Sequence, residues 1–533
     1  MTAQKYKIIH VKQLFNSRCL DFLGFSFTFA VKNKAKMAIV IRIKRGLDIN
    51  LIGKAAGERL DNTPSGSYAI VPDDFVGITP KAVVRADDRV KAGEPLMIDK
   101  GCPEIKFVSP VSGTVTGVNR GEKRKILSIT VQPDEQIEYK QFEVNGFDAF
   151  DAPALKALLL EAGMWPFIRQ RPYDRIANPS ETPRDIFVTA YNSAPLAPDF
   201  EYVINGEEDE LRSGLEMLTK LTSGKVYLGI KGGTSLRDLS RDIEVVELYG
   251  PHPVGNAGIM INKIKPDNKG ETVWTLNAPD VIIMGRLLKK GIADFTRIIA
   301  LTGSALSATG YVKALAGCTI ASLLAPARAD STHPDSVRAD LQSVHPDPAH
   351  ADYKSARAKR PDPDCPEKQF SILNSQFSIN SRLISGNVLT GKKIEPDGYL
   401  GFYDNQVTVI PEGDDVHEFI GWAMPGFNKF SVSRTYFSWL LGRKKEYEID
   451  ARIRGGKRAI IMSNEYDKVF PMDILPEYLL KAIIAFDIDR MEQLGIYEVA
   501  PEDFALCEFV DTSKIEIQTI VRNGLDLLYK EMS

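Results

Sequence analysis

The apolar positions of this chain repeat with two different periods. From Met37 onward, Ala38-Ile39-Val40-Ile41-Arg42-Ile43 reads as a strand, and short strands separated by Gly and Pro turns continue to about residue 135. Helical spacing follows. Asp151 is a helix cap with Pro153 in the first turn, and Leu155, Leu158, Leu159 and Ala162 share one face before Gly163 ends the helix. Ile186-Phe-Val-Thr-Ala190 predicts a strand. Residues 207–221 predict a helix with Leu211, Leu215, Leu218 and Leu221 inward, and residues 225–230 a second strand. Strand, helix, strand indicates an α/β domain with a parallel sheet, Rossmann-like in its order.

Beyond residue 256 the pattern changes again. Val281-Ile-Ile-Met284 and Arg297-Ile-Ile-Ala-Leu301 are apolar runs, followed by a helical stretch at 312–316 and strands at 383–384 and 406–410. That order fits a compact β-grasp domain. Residues 325–380 interrupt it with near-copies: His333-Pro-Asp-Ser-Val-Arg-Ala-Asp340 echoes His345-Pro-Asp-Pro-Ala-His-Ala-Asp352, and Gln369-Phe-Ser-Ile is repeated from Gln376. Pro-, Ala- and Asp-rich repeats without periodicity predict a disordered insertion, and its His333, His345 and His350 lack the preorganisation of a metal site. After residue 413 an aromatic-rich segment precedes helices expected at 475–486, 488–494 and 515–528.

Composition narrows the class. The 533 residues are too many for one core, so several domains are expected. A net charge of -3 argues against a general nucleic-acid binder. Cys19, Cys102, Cys318, Cys365 and Cys507 show no short spacing, which offers neither a disulfide framework nor a metal cluster. No stretch reaches the ~20 apolar residues of a membrane span. The 20–31 run has lysines where a signal peptide would have small cleavage-site residues. Residues 1–36 are therefore expected to be an extension outside the fold.

Between residues 85 and 115, Arg85-Ala-Asp-Asp-Arg-Val-Lys-Ala-Gly-Glu-Pro-Leu96 and Phe107-Val-Ser-Pro-Val-Ser-Gly-Thr-Val115 resemble the barrel-sandwich domains of biotin and lipoyl carriers. Lys100 lies near the position of the modified lysine in such carriers. Gly101-Cys102-Pro103 makes its turn irregular, so an exposed, unmodified lysine is the expectation.

Gly250-Pro-His-Pro-Val-Gly255, Asn277-Ala-Pro-Asp-Val281, Ser385-Gly-Asn-Val-Leu-Thr-Gly391, Gly421-Trp-Ala-Met-Pro-Gly426, Asn428-Lys-Phe-Ser-Val-Ser-Arg434 and Asn464-Glu-Tyr466 resemble the A subunit of the Na⁺-translocating NADH:quinone reductase. The resemblance runs from about Met37 to the C-terminus and skips 325–380. It implies a peripheral subunit on the cytoplasmic face of a bacterial inner membrane. Its partners would be five other subunits and quinone, in a complex that oxidises NADH, reduces quinone and expels Na⁺. The expected architecture is multidomain α+β. Residues 37–140 form the barrel-sandwich domain, 141–255 the α/β domain, 256–412 a β-grasp (SLBB-like) domain with its insertion, and 413–533 a mainly helical domain.

The same frame resembles flavin- and cluster-bearing subunits of complex I and Rnf complexes, and an Rnf- or complex I-like flavin/NADH subunit is the alternative reading. Where those relatives carry a Gly-rich phosphate loop, this chain has Gly163-Met-Trp-Pro-Phe-Ile-Arg-Gln-Arg-Pro-Tyr173, with only Arg169 and Arg171 suited to an anion. Where Rnf relatives carry four cluster cysteines, it has Pro501, Phe504, Cys507 and Asp511. The chain is thus expected to bind no flavin, NADH, iron–sulfur cluster or Na⁺ itself, and to contain no catalytic residue. Trp422, Lys429, Phe430 and Arg434 in the aromatic–basic segment, and His252 as a proton donor, are the candidates for contact with quinone or a neighbouring subunit. The basic cluster Arg120–Lys125 reads as a solvated turn.

Overall fold

The computed structural model describes residues 38–144, 150–238, 242–324, 381–414, 425–441 and 445–532. The expected extension 1–36, the insertion 325–380 and Trp422 lie outside these residues.

A seven-stranded sheet forms the centre. Its order is Ile39–Arg42, Glu244–Tyr249, Val226–Lys231, Ile186–Thr189, Val273–Asn277, Arg169–Arg171 and Arg175–Ile176. The first five strands are parallel, and the last two join through antiparallel pairings. Ile186, Val188, Val226 and Leu228 pack into one core, whereas Phe187, Tyr227, Val246 and Leu248 pack into a second core on the other face. Burial on both faces explains why these strands read as continuous apolar runs.

Two boundaries differ from the sequence reading. The strand expected to open the barrel, Ile39–Arg42, instead forms the edge of the central sheet beside Glu244–Tyr249. The region from 256 to 293 belongs to the central sheet as well, since Val273–Asn277 pairs with Ile186–Thr189. Val281-Ile-Ile-Met284 lies in the helix Ala278–Lys290, which is buried on nearly every side, so no polar stripe marked its period. This helix crosses Glu208–Leu221 so closely that a Cβ at Gly285 would overlap the Glu210 carbonyl. The 312–316 stretch expected to be helical is a strand, Gly310–Leu315, paired along its length with Thr296–Thr302.

The barrel consists of two antiparallel sheets. One has the order Tyr68–Ile70, Ile126–Pro133, Gly113–Arg120 and Arg89–Val90, and the other Pro80–Ala82, Pro95–Asp99 and Lys106–Val108. A separate five-stranded sheet has the order Gly310–Leu315, Thr296–Thr302, Gln406–Pro411, Ser381–Ser385 and Lys392–Ile394. Its first and last strands in sequence, Thr296–Thr302 and Gln406–Pro411, run parallel side by side. The C-terminal helices Pro476–Ile484, Ala505–Val510 and Ile517–Met532 complete the second core.

Candidate functional site

The parallel strands are traversed from Ile186–Thr189 to Val226–Lys231 to Glu244–Tyr249, after which the chain returns to place Val273–Asn277 on the opposite side of Ile186–Thr189. Successive connections thus leave in opposite directions at the carboxyl ends of the strands Ile186–Thr189 and Val273–Asn277. Such a switch point opens a crevice in open α/β sheets. A cavity of about 260 Å³ lies there. Its walls are the strand ends (Thr189 to Asn192, Thr275 to Asn277), the Gly255-Asn256-Ala257 entry to helix Ala257–Ile264, and Tyr403 to Gln406 with Asn387 and Thr390 from the five-stranded region. Arg169, Asp174 and Glu502 also line it.

His252 joins this wall and is only 5% exposed. Its backbone N–H donates to Asp48 Oδ1 (2.9 Å), and Ser193 Oγ, which accepts from the Gly255 N–H (2.9 Å), lies 3.0 Å from its Nδ1. Ser193 thereby holds the imidazole ring by a hydrogen bond at Nδ1. Burial lowers its pKa to about 4, so the ring is neutral at pH 7.

Below the cavity, Arg171 is a fully buried guanidinium. It reaches Asp503 at 3.2 Å, Glu502 at 3.1 Å and Asp174 at 3.9 Å. Burial alone would lower its pKa; these carboxylates outweigh burial and raise it. Arg169 pairs with Asp174 (2.8 Å) and stands over the Tyr403 ring (5.6 Å). Both arginines that the sequence offered to an anion are therefore engaged with carboxylates. Asp503 also accepts from the Ala500 N–H (2.9 Å), and its pair with Arg171 ties the C-terminal helices to the sheet. On the other wall, Arg297 joins Asp280 (3.3 Å) to Asn405 (3.3 Å) and fixes the 404–406 strip.

The 163–173 loop forms part of the core. Trp165, Pro166 and Phe167 are buried, the Trp165 indole donates to Ala177 O (2.7 Å), and the Tyr403 hydroxyl donates to Pro166 O (2.7 Å). Phe167 stacks on Phe402 with centroids 4.8 Å apart. The N–H groups of Gly163, Met164, Phe167 and Ile168 donate to the carbonyls of Leu160, Leu159, Met164 and Trp165. Cys507 is fully buried, and desolvation raises its thiol pKa well above the usual range. Phe504 packs on Phe470 (4.9 Å), and Asp511 accepts from the Tyr466 hydroxyl (2.7 Å). Among the described residues, no group of three or more His, Cys, Asp or Glu residues could hold a metal ion. The residues at the four cluster positions do not fit a cluster.

The aromatic–basic segment lies elsewhere. Phe427 and Phe437 are about half exposed, with ring centroids 6.1 Å apart. Arg434 stands over Trp439 and Lys429 over Tyr436. Phe430 instead turns inward onto Tyr447 (5.7 Å) and Phe509 (6.0 Å). His252 belongs to the cavity, so the sequence-derived set divides between two places. Lys100 is exposed in the loop 100–105, beside Asp99, whose Oδ1 accepts from the Thr79 N–H (2.8 Å). In the Arg120–Lys125 turn, Lys125 pairs with Asp73 (2.7 Å). The sequence reading missed the cavity's asparagines. Asn192, Asn256, Asn277, Asn387 and Asn405 come from five separate stretches of the chain, and only the strand order brings them together.

Residues 41–134 match the family described as the NqrA N-terminal barrel-sandwich hybrid domain, and residues 150–293 the one described as the NqrA second alpha/beta domain. A barrel-sandwich domain joined to an α/β domain with a switch-point cavity is the class that the fold defines. The chain belongs to the family of the A subunit of the Na(+)-translocating NADH-quinone reductase. It is 34% identical to that protein of Vibrio anguillarum over 92% of this chain and 100% of the relative, and 33% identical to that of Saccharophagus degradans over the same shares. A solved NAD+-reducing [NiFe]-hydrogenase in the H2-reduced state aligns at 9% identity over 72% of this chain and 64% of its own, and its TM-score of 0.34 carries no argument. Among the described residues, no helix is long and apolar enough to cross a membrane.

Proposed function

We propose that this chain is the peripheral A subunit of a Na⁺-translocating NADH:quinone reductase on the cytoplasmic face of the bacterial inner membrane. It contributes to the reduction of quinone coupled to Na⁺ export, with no flavin or iron–sulfur cluster of its own. The observation that carries the reading is the full-length match, at 34% identity, to a relative of that name. The buried Trp165-Pro166-Phe167 turn and the buried Cys507 support the lack of resident redox groups. The parallel pairing of first and last strands supports reading residues 296–411 as a β-grasp domain.

The switch-point cavity is the quinone-facing site in this reading. At about 260 Å³ it lies just below the roughly 300–1,000 Å³ of small-molecule pockets, which suits a single ring better than a dinucleotide. Asparagine amides can donate to two quinone carbonyls, and neutral His252 can hand over a proton. The exposed Phe427 and Phe437 face carries the contact with a neighbouring subunit. The flavin/NADH alternative draws on the same switch point, and a yellow purified chain would favour it.

Membranes of cells lacking this chain are expected to lose Na⁺-dependent NADH:quinone reduction and to regain it when the purified chain is added. Undiminished activity without the chain would contradict the reading. Phe427→Ala/Phe437→Ala is expected to keep its melting temperature within about 2 °C, since exposed side chains contribute little to folding. The same variant should co-purify with the other subunits in markedly lower yield, and an unchanged yield would remove this face from the interface.

A further inference from the structure

A second hollow lies away from the cavity, and its walls carry mainly one sign of charge. Arg42, Lys44, Arg45 and Lys263 line it, with Asp473 the single carboxylate. All four cations are exposed. Among the described residues, none of the four has a carboxylate within ion-pair distance. Arg42 stacks over Tyr249 at 4.3 Å. Glu498 feels the charge of Lys263, but its hydrogen bond comes from Asn262 (2.9 Å).

The hollow is rigid. The Ile43 N–H donates to Tyr249 O (3.0 Å), the Gly46 N–H to Lys468 O (3.2 Å) and the Leu47 N–H to His252 O (2.9 Å). Gly46 has φ +140, and a Cβ there would overlap the His252 carbonyl, so this tight passage requires glycine. Three basic side chains of one short segment are thereby held against Lys263 of helix Ala257–Ile264. The floor is apolar: Ile43, Pro471 and Met472 are buried. Three residues after Asp473 the helix Pro476–Ile484 begins, and its cap Leu475 and first-turn Tyr478 are 56% and 54% exposed.

Like charges held together on a stiff frame repel one another, and an anion removes that cost. An apolar floor with exposed Leu and Tyr nearby selects an anion that also carries hydrocarbon. We propose that this hollow binds the phosphate headgroup of an anionic phospholipid and seats this face of the chain on a membrane surface. The inference rests on the charge, the exposure, the frame and the apolar floor of this hollow and stands apart from the quinone reading.

Flotation of the full-length chain with vesicles tests it. Binding is expected to vesicles containing phosphatidylglycerol and not to pure phosphatidylcholine, and it should weaken as salt rises. Lys44→Glu/Arg45→Glu is expected to lower binding on the order of tenfold or more with an unchanged circular dichroism spectrum. Lys263→Glu, on a different element, should lower it less. Reversing the other basic turn, Lys123→Glu/Arg124→Glu, should leave binding as it was. Equal binding to neutral vesicles, full binding by the Lys44/Arg45 variant, or an equal loss in the Lys123/Arg124 variant would each overturn the proposal. So would release by millimolar inorganic phosphate, which points to a soluble anion, or preferential capture by polyglutamate, which points to a protein partner.

Discussion

Arg171 shows how much one side chain can hold. Its guanidinium is 2% exposed and the Asp503 carboxylate is fully buried, so each compensates the desolvation of the other. Arg171→Met leaves Asp503 and Glu502 without the cation they share. The expected cost is about 3–5 kcal/mol, the range for breaking a buried pair, read as an earlier urea midpoint. A shift of less than about 1 kcal/mol would mean that the carboxylates find other partners. His252 carries a pH dependence of definite sign. Its folded-state pKa of about 4 lies below the unfolded value of 6.5, so its contribution to stability is present above pH 6.5 and is lost as pH falls towards 4. Asp267, which burial raises to about 7, works in the opposite direction over an overlapping window. The expectation is therefore a difference between proteins: between pH 7 and pH 5, His252→Gln should lose less melting temperature than the parent. Parallel curves would show that His252 gains a proton in the fold.

At the element scale, helices were legible where a long face is wet. Leu211, Leu215, Leu218 and Leu221 are buried in Glu208–Leu221, and Ile517, Val521, Leu525 and Leu528 in Ile517–Met532, at the spacing that the sequence displays. Ala278–Lys290 was not legible, because a helix buried all round loses its polar stripe. Gly310–Leu315 was mistaken for a helix because six residues are too few to establish a period; its pairing with Thr296–Thr302 decides its form. The site was half legible. His252 could be named from its Pro-flanked turn, whereas the asparagines around it become a set only through the strand order. The crossing of Glu208–Leu221 and Ala278–Lys290 can be tested directly. Gly285→Ala forces the two backbones apart and should cost roughly 1–3 kcal/mol, the usual penalty for overpacking. An unchanged denaturation midpoint would show that the crossing is loose.

Across the whole molecule, the central sheet is enclosed between two apolar cores, one shared with the barrel and the five-stranded sheet, the other with the C-terminal helices. The frame is thus held by packing around the places where redox groups would sit: Trp165, Phe167, Phe504 and Cys507 are all part of those cores. We propose that this chain supplies structure and a quinone-facing cavity to the complex while the electrons travel on other subunits. The most direct measurement is the visible absorption spectrum and metal content of the full-length chain released from the assembled complex. The account predicts a colourless protein with neither flavin bands nor iron; stoichiometric flavin or iron travelling with this chain would contradict it.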